Sequence, residues 1–147
     1  MKAKLVSALG LALVAGLLVA AVASADQGGG TGTLTAKGNG LVVLRGNISV
    51  TLSGAGILVI RDRVGDAQIQ VTGRGFKKEL KNGIAAYIGF DGQAQISGSA
   101  VDIALRGRNI ELEATGTGHF LLRGHGSYHT IKDDDAWTTE GKVAALP

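Results

Sequence analysis

Three histidines and three aspartates lie close together near the carboxyl end of this chain, and both residue types can bind metal ions. His119, His125 and His129 are followed by Asp133–Asp135. A zinc site needs ligands that converge on one point. On an extended strand His125 and His129 share a face but stand about 13 Å apart, which is too far for a single ion. The spacing therefore favours solvated surface histidines, and we predict no metal site.

Carboxylate pairs are the other candidates for chemistry. Glu111 and Glu113 are about 6.6 Å apart along one face of a strand, a separation that suits acid–base catalysis. They repeat the polar outward pattern of the neighbouring strands, however, which favours a solvated face. Asp62 and Asp66 bracket the turn DRVGD, where aspartates commonly bond their own backbone. With no cysteine and no Gly-x-Ser-x-Gly motif, we predict no catalytic residues, no cofactor and no enzymatic activity.

Positive charge is concentrated in one segment, GRGFKKELKNG, in which Glu79 is the only acidic residue. We interpret this segment as a loop. Such a loop could contact acidic glycan or lipid headgroups, although a solvated loop is the simpler interpretation. The residues of this candidate anionic-ligand loop are Arg74, Lys77, Lys78 and Lys81.

The elements that would position these residues are β-strands, because apolar residues recur at every second position. The even-numbered positions are apolar from Leu34 to Ile60 and again from Ile84 through Ala86 and Ile88 to Ile96. Odd positions take over between these runs and at 101–105, and such slips mark bulges or altered turns. Apolar residues stay at even-numbered positions on both sides of the turns GNG and GAG. This predicts three-residue turns or the corners of a coil rather than two-residue hairpins.

The strands are of two kinds. One kind reads ISVTLS, AQIQVT, QAQIS, IELEAT and SYHTI, with polar outward residues. The other reads LVVLR, ILVIR, AAYIG, VDIAL and HFLLR, is apolar on both faces, and is often followed by arginine. Its outward residues include Leu41, Ile57 and Tyr87. An apolar outward face needs a cover, so we expect an interaction surface formed by Val43, Arg45, Val59, Arg61, Arg106, Leu121 and Arg123.

These patterns predict an all-β fold built from two-strand repeats of about 16 residues. In a two-sheet β-solenoid-like stack, like strands would lie in parallel on like. The alternative is an antiparallel β-sandwich or barrel. We favour the solenoid.

Glycine-flanked short strands over roughly residues 30–130 resemble glycine-rich β-repeat proteins exported by bacteria. More distantly, they resemble the head domains of autotransporter adhesins. The resemblance implies an envelope or extracellular protein that is not an enzyme.

The chain begins with a pattern typical of a signal peptide. Lys2 and Lys4 precede an apolar run, Leu5 to Ala23, and Ala-Ser-Ala at 23–25 suits signal peptidase. The alternative is an uncleaved membrane anchor. We predict a signal peptide at 1–25, a glycine-rich linker at 26–32, a β-repeat domain at 33–131 and a C-terminal cap or tail at 132–147, in which Trp137 covers the last apolar edge.

The balance of charge limits the range of partners. Removing Lys2 and Lys4 from the 15 basic residues leaves 13 against 12 acidic ones, so nucleic acid is not an expected partner. We expect a secreted, periplasmic or cell-surface protein, not integral to the membrane once the signal peptide is removed. It would be a structural or adhesive module that binds itself or an envelope protein. The alternative is a carbohydrate-binding module for acidic polysaccharide, with Tyr87, Tyr128 or Trp137 as stacking platforms.

Overall fold

The computed structural model describes residues 30–146, and the all-β class predicted from the sequence is confirmed. The predicted signal peptide and most of the predicted linker lie outside the described residues. Within this part of the chain, no helix has the length and apolarity needed to cross a membrane. The strands are β1 Gly30–Asp62, β2 Gln68–Glu79, β3 Ile84–Thr130, β4 Asp134–Ala136 and β5 Lys142–Ala145.

The first three strands form one long antiparallel hairpin, in which β1 and β2 run outward and β3 returns. Most residues of β1 pair with two residues of β3, one on each side. Val43, for example, pairs with both Leu121 and Ala104. A strand can gain a second neighbour from the same partner only if the hairpin is wound into a coil. Each returning segment except the last two, 118–124 and 125–130, therefore lies between two outgoing segments.

The winding places the segments in two layers. Successive segments along β1 and along β3 belong to different layers, and each segment pairs with segments of its own layer. We call the layers polar and apolar after their outward side chains. The polar layer comprises segments 30–38, 47–54, 68–74, 91–98, 110–117 and 125–130. The apolar layer comprises segments 40–46, 56–62, 76–79, 84–90, 101–107 and 118–124. The two kinds of strand recognised in the sequence correspond to these two layers.

The inward side chains of both layers pack into one main core. Leu34 and Ile96 from the polar layer and Leu44, Leu58 and Leu105 from the apolar layer are all fully buried. Burying each such side chain contributes roughly 1.5–3 kcal/mol. The two layers therefore face each other across a shared core, as in a sandwich.

The solenoid is not confirmed, because neighbouring segments are antiparallel rather than parallel. Segments of one kind do share a layer, but within it outgoing segments alternate with returning ones. The sheet is not closed into a barrel. Its connectivity is that of a jelly roll, a hairpin wound over two layers, extended here from eight segments to twelve. Sequence alternation could not separate these possibilities, because either winding keeps the same side chains inside.

The two ends of the coil differ. β2 forms one edge of both layers, whereas β4 and β5 pair with β3 at the other edge. Trp137 follows β4, is buried in the main core, and donates a hydrogen bond from Nε1 to the Ser127 carbonyl at 3.0 Å. The tail therefore closes that end of the core.

Glycines occupy the corners where the chain passes from one layer to the other. At Gly107 an added Cβ would overlap the carbonyl oxygen of Ala55, and at Gly56 it would overlap the carbonyl oxygen of Arg106. Segments thus approach each other backbone to backbone at the corners, where no side chain fits.

The returning strand carries one extra residue at each of three corners. Pairing moves from Gly38–Ile110 to Gly40–Gly107, so β1 advances two residues while β3 advances three. The extra residues have left-handed backbone conformation: φ is 53° at Asn109, 50° at Ala100 and 68° at Gly89. These are β-bulges.

Asparagines on β1 hold two of these bulges in place. The backbone N–H of Asn109 donates to Asn39 Oδ1 at 2.8 Å, and that of Ala100 donates to Asn47 Oδ1 at 2.9 Å. Both asparagines follow a glycine at a corner of β1. They supply an acceptor to a backbone group that the bulge removes from the ladder.

The third bulge overturns one sequence prediction. Phe90 points into the main core, and the extra residue at Gly89 makes Tyr87 point inward as well. Ile84, Ala86 and Ile88 therefore point outward and pack in a second apolar cluster. The predicted inward row at 84–88 and the outward Tyr87 were wrong, because nothing in the apolar pattern marks the bulge.

We predict that Gly107→Ala destabilises the fold by about 1–3 kcal/mol. Gly107 does not have left-handed backbone conformation, so the effect isolates the overlap with Ala55. Gly89→Asn is the matched control, because a Cβ there meets nothing within 4 Å and asparagine tolerates the left-handed region. It should cost less than about 1 kcal/mol. Urea unfolding compares the two variants, and equal midpoints would contradict tight corners.

Candidate functional site

The apolar layer has a second apolar surface on the side away from the main core. Its inward residues belong to the core, while its outward residues form a separate cluster. We call this surface the outer apolar face. Its middle row is Ala86, Val59, Ala104, Val43 and Leu121, with Ile57, Arg106, Leu41 and Arg123 along one side and Ile84, Arg61, Asp102, Arg45 and His119 along the other.

All seven residues of the predicted interaction surface lie on this one face. Val43, Val59 and Leu121 are in the middle row, Arg106 and Arg123 in one flanking row, and Arg45 and Arg61 in the other. Their placement follows from the winding. Because the inside of the coil stays inside, outward positions of successive apolar segments fall in register across the sheet.

The middle row is buried, although two of its five side chains are those of alanine. Val59 is flanked across the sheet by Ala86 and Ala104, whose methyl groups are smaller than its own side chain. Val59 is nevertheless only 1% exposed, and Val43 is also 1% exposed. Ile57, Ile84, Ile88 and Val143 are partly buried and pack against this cluster.

An ionic cluster lies at one side of the face, with Asp102 at its centre. Asp102 is 5% exposed. Its Oδ2 lies 3.3 Å from Arg63 Nε, and its Oδ1 lies 3.2 Å from Arg45 Nε. Oδ1 has no hydrogen-bond partner, so its contact with Arg45 is an ion pair without hydrogen-bond geometry. Arg61 stands opposite Asp102 on the next segment.

Burial raises the pKa of the Asp102 carboxyl above its ordinary value, and the charges of Arg63, Arg45 and Arg61 offset this only in part. The three arginines exceed the one carboxylate, so the cluster is net positive. With Arg106 and Arg123 on the opposite side, the apolar row lies between two cationic flanks.

Polar atoms without partners are concentrated on this face. Within residues 30–146, the buried atoms with no hydrogen-bond partner include Arg61 Nε, Asp102 Oδ1, His119 Nε2 and Arg123 Nε. Leaving such atoms buried and unpaired is costly. The only other such atom in this part of the chain is the Tyr128 hydroxyl oxygen, in the main core. The face thus offers donors that its own side chains do not satisfy.

The C-terminal tail extends this face rather than covering it. β5 pairs with β3 beside Leu121, and Val143 joins the cluster. Arg123 donates a hydrogen bond to the Glu140 carbonyl at 3.2 Å. Trp137 packs in the main core instead.

The predicted basic loop is not a loop. Arg74, Lys77 and Lys78 lie on β2, and Lys81 alone lies in the turn that follows. β2 is an exposed edge strand, and Lys77 is 3.5 Å from Glu79. Lysines on an edge discourage pairing with other chains. The glycines Gly73 and Gly75 suggested a loop, but here they are a corner.

The structure does not bring the histidines together. His119 lies on the outer apolar face, His125 at a corner, and His129 on the polar layer, 3.9 Å from Asp134. No group of three potential metal ligands occurs in the part of the chain that the structure describes. Glu111 is exposed and pairs with Lys37 at 3.6 Å.

The two aspartates of the DRVGD segment bind backbone groups. Asp62 accepts hydrogen bonds from the N–H groups of Gly65 at 2.8 Å and Ala67 at 3.0 Å. Asp66 accepts one from Ser99 at 3.0 Å, which lowers the pKa of its carboxyl. Both aspartates therefore hold the turn.

The three aromatic residues expected as stacking platforms are buried: Tyr87 is 9% exposed, Tyr128 2% and Trp137 5%. They are not available to a sugar ring. The outward side of the polar layer instead carries hydroxyl and amide groups. It holds a shallow groove of about 320 Å³ lined by Ser49, Thr51, Gln68, Gln70, Gln95 and Ser97 among others.

Sequence reasoning missed Asp102, Arg63 and the alanines of the middle row. Asp102 could have been found as a single charge at an outward position of the apolar segment VDIAL. Arg63 was assigned only to a turn. Ala86 was placed on the wrong side.

Comparison with known proteins finds no matching family model, no similar curated protein and no similar solved structure.

The raised pKa of Asp102 predicts a pH dependence of stability. A native state that holds this proton more tightly than the unfolded chain loses stability as pH rises from about 4 to the raised pKa. The free energy of unfolding of the wild type, relative to Asp102→Asn, should therefore fall over that window and then level off. Urea titrations at a series of pH values measure it. A difference that grows with pH would mean that the arginines outweigh burial. Glu113→Gln, on the exposed polar layer, is the control.

Proposed function

We propose that this chain is an exported structural or adhesive module of the cell envelope, without enzymatic activity, that acts through its outer apolar face. The observation that supports this most directly is the continuous row Ala86, Val59, Ala104, Val43 and Leu121 between two flanking rows that each contain two arginines. Surfaces of this kind bury an apolar centre and keep a polar rim.

The size of the face suits this role. Seven segments, including β5, span about 29 Å across the strands, and its three rows span about 14 Å along them. The face therefore covers about 400 Å² between backbone positions. Within this area the middle row is apolar, and the two flanking rows carry the charged groups that a partner would meet at the rim.

The flanking arginines bear on which partners fit. Arg45, Arg61 and Arg63 face one carboxylate, Asp102, while Arg106 and Arg123 lie across the row. Guanidinium groups pair well with carboxylates. A partner with an apolar strip flanked by acidic groups is therefore complementary. A second copy can also dock, with apolar burial opposed by repulsion between arginines.

We expect a chain beginning at Asp26 to associate with itself in light scattering. Association should strengthen as sodium chloride is raised, because salt screens the repulsion between arginines. Val43→Asp with Val59→Asp should abolish it while the β signature in circular dichroism remains, since neither valine lies in the main core.

Ser49→Asp with Gln95→Asp is the matched control, because both residues point outward from the polar layer. That control should associate like the wild type. A wild-type chain that stays monomeric at all concentrations would contradict self-association. Loss of the β signature in the valine variant would assign those valines to holding the fold together.

A second candidate function is carbohydrate binding, favoured by the grooves on the polar layer. One groove, of about 420 Å³, is lined by Thr35, Lys37, Thr51, Gln93 and Glu113 among others. Hydroxyl and amide groups of this kind can hydrogen-bond sugars, and the exposed lysines of β2 could attract an acidic polysaccharide.

For this candidate we expect retention on immobilised polygalacturonate that decreases with salt. Lys77→Gln with Lys78→Gln should reduce retention severalfold, whereas Lys132→Gln, outside β2, should not. Equal retention of all three proteins would exclude the β2 lysines as the binding site.

A further inference from the structure

Within residues 30–146 the coil ends in four sheet edges, one for each layer at each end. At one end the edges are β4 and β5, which are only three and four residues long. At the other end β2 forms both edges, with 68–74 in the polar layer and 76–79 in the apolar layer. A free edge can pair with another chain, and a very short edge strand is one natural protection against this.

The apolar-layer half of β2 has a second kind of protection. Lys77 is directly opposite Tyr87, and Glu79 is directly opposite Ala85. Tyr87 belongs to the main core and Ala85 packs against it, and directly opposite residues point to the same side of a sheet. Lys77 and Glu79 therefore point inward at the open edge. A further strand would bury these charges, so they oppose its addition.

The polar-layer half of β2 has neither protection. Its inward residues are Ile69 and Val71, which stand opposite Ile96 and Ala94 of the main core. Ile69 is 38% exposed. The outward residues are uncharged, with glutamine at 68 and 70 and threonine at 72. This half of the edge therefore leaves apolar inward side chains that a further strand would cover.

We propose that the polar-layer half of β2 pairs antiparallel with the same segment of a second copy of this chain, about a two-fold axis through Gln70. The polar layers of the two copies then form one continuous sheet. This interface is separate from the outer apolar face, and it does not depend on the function proposed for that face.

The inward side chains select the axis. Directly opposite residues share a side of the sheet, so the axis passes through a residue rather than between two. An axis through Gln70 places Ile69 opposite Val71 of the second copy, so that the inward residues of the two copies cover one another. An axis through Val71 would place Ile69 opposite Gly73, and an axis through Ile69 would place Val71 opposite Ala67. Only the axis through Gln70 pairs both large inward residues.

Charge supports the same axis. The line of β2 is continued by Ala67, which packs against the main core, and by Asp66, whose Oδ1 accepts a hydrogen bond from the N–H of Ser99 at 3.0 Å. The axis through Gln70 places Asp66 opposite Arg74 of the second copy, at both ends of the paired segment. Opposite charges directly across a strand pair are favourable. Residues 66–74 contain no other charged residue, so no like charges oppose one another.

The paired segment is small. It has nine residues a side, 66–74, whereas a standard stable interface has about 20–30. We therefore expect weak association that is best detected by trapping the paired copies.

Cysteine cross-linking tests the pairing, because the chain contains no cysteine and an introduced one reports a single position. Gln70→Cys in the 147-residue chain should form a disulfide between two copies under mild oxidation, since the axis brings residue 70 against itself. Thr51→Cys is the matched control, because Thr51 lies in the same outward row, two segments from the edge. Cα atoms more than about 7 Å apart cannot be bridged, so the control should cross-link roughly tenfold less. Equal cross-linking of the two variants, or none by Gln70→Cys, would overturn the proposal.

Gln68→Cys and Thr72→Cys test the register. Residue 68 of one copy lies opposite residue 72 of the other, so each variant alone holds its two cysteines about 13 Å apart along the strands. A mixture of the two variants should therefore form a disulfide between 68 and 72, identified by peptide mass spectrometry, in large excess over 68–68 and 72–72 disulfides. A predominance of either of those would place the axis elsewhere and overturn the proposal.

Removing a charge tests the ends of the paired segment. Arg74→Gln in the Gln70→Cys chain should lower the disulfide yield severalfold, because both ion pairs with Asp66 are lost. Arg108→Gln is the matched control: Arg108 lies in the same row of corner residues, three segments from the edge, and its loss should leave the yield unchanged. Equal yields from the two variants would overturn the proposed register.

The outer apolar face is tested separately. Val43→Asp with Val59→Asp changes the apolar layer and not the segment 66–74, so it should leave the Gln70→Cys disulfide unchanged. Loss of the disulfide in this variant, with the β signature retained, would assign the contact to the outer apolar face and overturn pairing through β2.

Discussion

The fold depends on backbone-to-backbone contact at the corners. A wound hairpin must bring each corner against the corners of the turns on either side, and at Gly107 and Gly56 the neighbouring carbonyl leaves no room for a Cβ. At such a corner the chain passes from one layer to the other, and the same side of the strand continues to face the core. Layering, the shared core and the two different outer faces all follow from that one geometric condition.

The corners also explain why the sequence was partly readable. With glycine at each bend, the inward phase of β1 continues from Leu34 to Ile60, so the all-β class and the division into two kinds of strand were predictable. The direction of pairing was not. A parallel coil and a wound antiparallel hairpin place the same side chains inside, and only contacts between distant residues, such as Val43 with both Leu121 and Ala104, separate them.

The errors at 84–88 and at β2 have related causes. On β3 the left-handed residue Gly89 shifts the alternation of inward and outward side chains by one position. No atom lies within 4 Å of the place where its Cβ would be, so no packing requirement marks this shift in the apolar pattern. At β2 the glycines and lysines that suggested a loop belong to a corner and to a protected edge. At β2 residue type indicated a loop, while the winding imposed a strand; at 84–88 the strand was predicted, but with the wrong side facing inward. The seven residues of the predicted interaction surface share one face because β1 and the later returning segments keep their phase between bulges.

The two outer faces pose different energetic problems, although one chain builds both. Outward residues of the polar layer are satisfied by water, so nothing further is needed to stabilise them. Outward residues of the apolar layer include Val59 and Val43, which are each 1% exposed, and Asp102, whose burial raises its pKa despite three arginines. Arginine is suited to this setting because its long apolar stem packs against the row while its guanidinium stays at the rim. A lysine in the same place would lack the planar group with which arginine can pair with a carboxylate through two nitrogens. The apolar row and its arginines therefore form one unit, with buried apolar side chains at its centre and unsatisfied donors at its flanks.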